Sequence, residues 1–238
     1  MTEPSPTEPS LLERRDVQIG VVERWGLLAG VTGIAANLLL IALYALGLPD
    51  IGDYDWTGPA NDVMGGIVST SATIPVALAL GELVGGGLLV RWATRLAVAA
   101  MAALVVSTVL LVTDAVSFEI QVFVAAPAVI LMLGWTAVVG RAGEANGLLP
   151  PRLARAAVVI GVAACVGTVL VGAGLLLPPE SASQYAVAGA GLLAGVPAFL
   201  AFPVWLILLA NRLRAHLTHA HAQAWAHPHQ PMLSRRAR

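Results

Sequence analysis

Six apolar stretches, at about 26–47, 63–84, 96–114, 120–140, 155–177 and 185–210, leave this 238-residue chain few ways to fold. A helix needs ~20 residues to cross ~30 Å of hydrocarbon, and lipid offers no partner to an open backbone amide. A soluble domain would interrupt such runs, carrying roughly 25% charged residues. Here 11% are charged and 58% hydrophobic. The expected fold is all-α: a polytopic membrane protein, a bundle of six transmembrane helices with short loops. The transmembrane domain covers 26–211.

Two polar ends flank it. Residues 1–10, "MTEPSPTEPS", hold too little apolar surface to fold and read as a disordered tail. The start is acidic and proline-rich, unlike a secretory signal peptide. Leu11, Leu12, Ile19 and Val22 then recur at helical spacing, which predicts a short helix on the membrane surface within segment 1–25. Residues 212–238 form a tail rich in histidine and arginine.

The arginines orient the bundle. Arg14, Arg15 and Arg24 precede the first helix, and Arg91 and Arg95 fall between the second and third. Arg141, Arg152 and Arg155 fall between the fourth and fifth, and five more follow the sixth. With six crossings all these segments share one side, while the other three connections have no arginine. The positive-inside rule then places both termini in the cytoplasm of a cell whose plasma membrane the chain spans. Tyr44, Trp56, Phe118 and Tyr185 on one side, and Trp25, Trp92 and Trp135 on the other, suit interfacial belts.

Several chemistries drop out. All thirteen basic residues are arginine, so no lysine can form a Schiff base to a retinal-type pigment. The single cysteine, Cys165, excludes paired-cysteine redox chemistry and reads as a small buried hydrophobe. No basic cluster suits nucleic acid. "DIGDYDWTGPAND" places Asp50, Asp53, Asp55 and Asp62 together, but its spacing and glycines differ from a calcium loop and no glutamate closes it. Asp62, beside Asn61, reads instead as the start of the second helix.

Polar residues inside spans are costly and therefore candidates for function. The second helix is the most polar: Asp62, Gly66, Ser69 and Thr73 are spaced by four, three and four and share one face. That face could line a solute path, or small residues and hydroxyls could serve helix packing. Glu82 lies ~20 residues after Asp62, about 30 Å along the axis, so it reads either as a cytoplasmic helix end or as a buried relay. Asn37 sits midway along the first helix, on a face with Gly26, Gly30 and Gly33. GxxxG patterns at 26–30, 81–85 and 191–195 mark close contacts within the bundle, with a second copy, or with another membrane protein. Pro75, Pro127, Pro197 and Pro203 fall only in even helices, where breaks could expose backbone to a substrate. "LVGGGLL" and "LVGAGLL" near the ends of the second and fifth helices hint at two three-helix halves.

All five histidines, His216, His219, His221, His227 and His229, lie in the C-terminal tail. None is placed for haem or an intramembrane zinc site. Clustered imidazoles could bind Zn or Ni weakly, but a solvated, metal-free tail is the favoured reading; with Arg235, Arg236 and Arg238 it could also rest on anionic lipid. No cofactor is called for.

"GLLPPRLARAAVVIGV", which begins the fifth helix, and "FPVWLILLANRLR", which closes the sixth, resemble small six-helix membrane proteins of high-GC Gram-positive bacteria. That group has no established function, so the resemblance implies the fold and no site residues. Three functions stay open. The chain could be a non-catalytic scaffold, sensor or partner-binding subunit, as its sparse intramembrane polarity and polar tails suggest. It could be a small-solute or ion transporter or channel using the second helix, Asn37 and Glu82. An intramembrane enzyme ranks last, because no nucleophile–base pair stands out.

Overall fold

The computed structural model describes residues 11–46, 56–85 and 87–226, with side chains for 13–43, 56–85 and 87–215. Six long helices result: α1 (Leu11–Leu46), α2 (Thr57–Leu83), α3 (Leu88–Val112), α4 (Phe118–Ala145), α5 (Pro151–Leu175) and α6 (Ala182–Ala226). Each is long and apolar enough to cross a bilayer, and there is no strand among the described residues. The chain is a multi-pass membrane protein. Its exposed Leu38, Val106, Phe123 and Leu193 lie on the outer surface, where the helices would meet lipid.

Several helices extend beyond their apolar runs; α6 continues to Ala226, through the first part of the expected C-terminal tail. The stretch expected as a separate surface helix forms the first turns of α1, with Ile19 and Val22 buried in the bundle. Continuing the helix keeps its amides bonded while those side chains leave solvent. α3 begins at Leu88 rather than near 96, because Arg91 and Arg95 are carried inside the helix. Long arginine stems allow this, since the guanidinium can reach water from a helical position. The Arg95 guanidinium lies 5.8 Å from the centroid of the Trp92 ring.

Consecutive helices pack on one another, and α6 packs on α1, so the six close into a ring. At that last seam the Arg214 Nε lies 3.3 Å from a Glu23 carboxylate oxygen. The turns after α2 and α4 stand at the arginine-bearing end. Gly85 (φ +73°) and Gly147 (φ +68°) adopt left-handed backbone there, which only glycine enters without strain. The Asn146 side-chain amide donates to the Val84 carbonyl and joins the two turns.

The core is lopsided. Leu80, Leu133, Trp135, Leu206 and Leu209 are fully buried, and all belong to the arginine-bearing half of the ring, with Met101 beside them near the middle of α3. Trp135 departs from the interfacial role expected of it: it is 1% exposed and donates its indole N–H to Thr94 Oγ1 at 3.1 Å. Trp205 likewise donates to the Leu153 carbonyl at 3.1 Å. In the opposite half glycines bring α5 and α6 together. A Cβ on Gly167 would stand 2.5 Å from Gly195 backbone and one on Gly191 2.7 Å from the Gly167 carbonyl oxygen, so neither helix could carry a side chain at those two positions.

The prolines break nothing: α2, α4 and α6 run on through Pro75, Pro127, Pro197 and Pro203. The departure from α-helix lies earlier, in a π-helical segment of α2 from Asp62 to Ser69.

Candidate functional site

The π segment shapes the site. In a π-helix each amide reaches back five residues rather than four, which widens the turn and is frequently met at functional positions. Here the Thr70 amide and the Thr70 hydroxyl both reach the Gly65 carbonyl, the hydroxyl at 2.8 Å. Gly65 and Gly66 at its centre admit the neighbours closely: a Cβ on Gly66 would lie 2.7 Å from the Thr108 side chain, and one on Gly65 3.1 Å from Ala36. Asp62 does not begin the helix, as its sequence context suggests. α2 starts at Thr57, with Pro59 tolerated in the first turn where its missing N–H costs nothing.

Inside the ring, beside this segment, is a cavity of about 180 Å³ lined by α1, α2, α3, α4 and α6. A single water needs on the order of 10–15 Å³ by the same measure, so the space holds several waters or a small molecule. One wall is polar: Asn37 from α1 and Asn61, Asp62, Ser69, Thr70 and Thr73 from α2. The facing wall is apolar, with Leu104, Val129, Met132, Phe199 and Phe202. From Asp62 to Thr73 the lining descends eleven residues, about 16 Å at α-helical rise. Beyond it the buried core closes the arginine-bearing half. Comparison with protein-family models, with curated proteins and with solved structures gives no match.

Four of the five polar residues singled out by spacing thus meet at one cavity: Asn37, Asp62, Ser69 and Thr73. Glu82 is elsewhere. It is exposed at the arginine-bearing end, accepts from Gln18 Nε2 at 2.6 Å, and borders a separate recess with Arg14 and Arg15. Thr70, Thr108 and Gln121 join the cavity without having been expected. Gln121 was legible as a polar residue near the start of the fourth apolar run, but nothing in one sequence says which helices are neighbours.

Hydrogen bonds hold the polar wall. Ser69 Oγ donates to the Ala29 carbonyl of α1 at 2.8 Å, and Thr73 Oγ1 to the Ser69 carbonyl at 2.8 Å. Asn61 donates weakly to Asp62 Oδ1 at 3.4 Å. Asn37 is 7% exposed and borders the cavity, and no fully buried side-chain polar atom among the described residues lacks a hydrogen-bond partner. Cys165, between α4 and α5, approaches the Ile130 carbonyl at 3.5 Å and is not part of the site. Asp50, Asp53 and Asp55 lie outside the described residues, as do the side chains of all five histidines.

Proposed function

We propose that this chain binds a small solute in the cavity of the helix ring and carries it across the membrane, without catalysing a reaction. One observation carries the reading: a cavity with a polar wall lies inside the bundle next to a closed apolar core. A scaffold has no need of a cavity with a polar wall inside the bundle, and a permanently open pore would lack the core. A carrier needs both, because alternating access requires a binding site near the midplane and a barrier on one side at a time. The arginine distribution supports a plasma-membrane orientation with both termini cytoplasmic, so that the cavity lies in the half of the bundle away from the cytoplasm. The packing-face reading of α2 also has support, since Ser69 bonds across to α1. The same residue borders the cavity, and the two roles coexist.

Cysteine accessibility tests this. In a Cys165→Ala background, Asn37→Cys, Ser69→Cys and Thr73→Cys are expected to react with a membrane-impermeant maleimide added to intact cells. Leu80→Cys, in the closed core, is expected to stay silent. Equal silence at all four positions would remove the carrier reading. Labelling only from the cytoplasmic side would reverse the orientation.

A further inference from the structure

The cavity's hydroxyl groups are arranged in one sense. Ser69, Thr70, Thr73 and Thr108 each give their single proton to a main-chain carbonyl, all at 2.8 Å. A hydroxyl has one proton and two lone pairs, so what these four have left is acceptor capacity. Asp62 when ionised accepts only, and the Asn61 amide is turned partly toward it. Pro203, on the wall, has no N–H for the Phe199 carbonyl four residues earlier, which frees another acceptor. Asn37 and Gln121 can act either way. Among the described residues, no arginine, lysine or histidine is in the lining.

A site so rich in acceptors and poor in donors suits a ligand that donates and carries positive charge. The facing wall then decides between a bare ion and an organic one. Leu104, Val129 and Met132 offer no oxygen, and the 180 Å³ space far exceeds one desolvated metal ion. Phe199 and Phe202 offer aromatic surface, which attracts cations through its negative face. We infer that the ligand is a small organic ammonium with an apolar body, its cationic head at Asp62 and its body against α4 and α6. This rests on the solute-binding reading and names the class of solute.

Three probes of matched shape decide it: benzylammonium, benzyl alcohol and benzoate, titrated by calorimetry into the full chain in lipid nanodiscs. Benzylammonium is expected to bind about tenfold tighter than benzyl alcohol, and benzoate more weakly still, because a charge-assisted hydrogen bond exceeds a neutral one by that order. Asp62→Asn should bring the first two within about twofold, and Asp62→Glu should keep the preference. Benzylammonium should also slow maleimide labelling of Thr73→Cys in the Cys165→Ala background. Equal affinity for all three probes, a preference that survives Asp62→Asn, or equal competition by sodium overturns the cation assignment and leaves solute binding standing. The ranking of probes on the wild-type chain decides this even if Asp62→Asn does not assemble. Binding of none of them, together with no protection at position 73, overturns both.

Discussion

Valine in place of Gly167 is expected to prevent α5 and α6 from seating. A Cβ at this position would lie 2.5 Å from the Gly195 N and Cα and 2.8 Å from the Gly191 carbonyl oxygen. These are backbone atoms, so no rotamer change relieves the overlap and the helices must separate. Overpacking costs roughly 1–3 kcal/mol where neighbours can yield, and the upper end applies where only whole helices can move. For a chain of this size about 3 kcal/mol lowers the unfolding midpoint by on the order of 10 °C. Gly172→Val is the control, since nothing stands within 4 Å of its added Cβ on the same helix. Thermal unfolding in mild detergent compares the two. Equal midpoints would show that this seam is looser than its glycines suggest.

Trp205→Ala is expected to damage both the fold and the barrier. Its ring is 2% exposed, stacks on Phe202 with centroids 6.2 Å apart, and donates to the Leu153 carbonyl. Phe202 in turn lines the cavity. Removing the indole therefore hollows the core just beneath the site, at a cost of about 3–5 kcal/mol. Liposomes containing Trp205→Ala should leak small solutes that wild-type liposomes retain. Trp205→Phe keeps a ring in place and gives up one hydrogen bond, about 1 kcal/mol, and should stay tight. A well-folded Trp205→Ala protein with no leak would mean that the barrier lies elsewhere.

The six spans were legible because lipid imposes one rule on every segment: about twenty apolar residues, all amides bonded. Their ends were less so. Arg91 and Arg95 look like a loop by charge alone, yet their stems let α3 continue through them. The face of α2 was also legible, since spacings of three and four survive a π turn well enough to keep Asp62, Ser69 and Thr73 together. The π turn was not, because hydrogen-bond register leaves no mark on apolar periodicity. Helical rise alone already set Glu82 apart from Asp62, and of its two readings, helix end or buried relay, the fold shows an exposed residue at the far end of α2. Thr108 and Phe202 joined the site through helix adjacency, which a linear pattern does not encode.

The ring also fixes an order of events during synthesis. The helices leave the translocon in sequence, and the first five can form only an open crescent. The polar wall of α2 exists from early on, but its enclosure waits for the Phe199–Pro203 stretch of α6, more than a hundred residues later. At roughly 5–20 residues per second, that leaves on the order of ten seconds during which Asn37 and Asp62 border an unfinished groove. The last helix is a clasp, and until it shuts, the nascent chain has the polarity of a binding site without its walls.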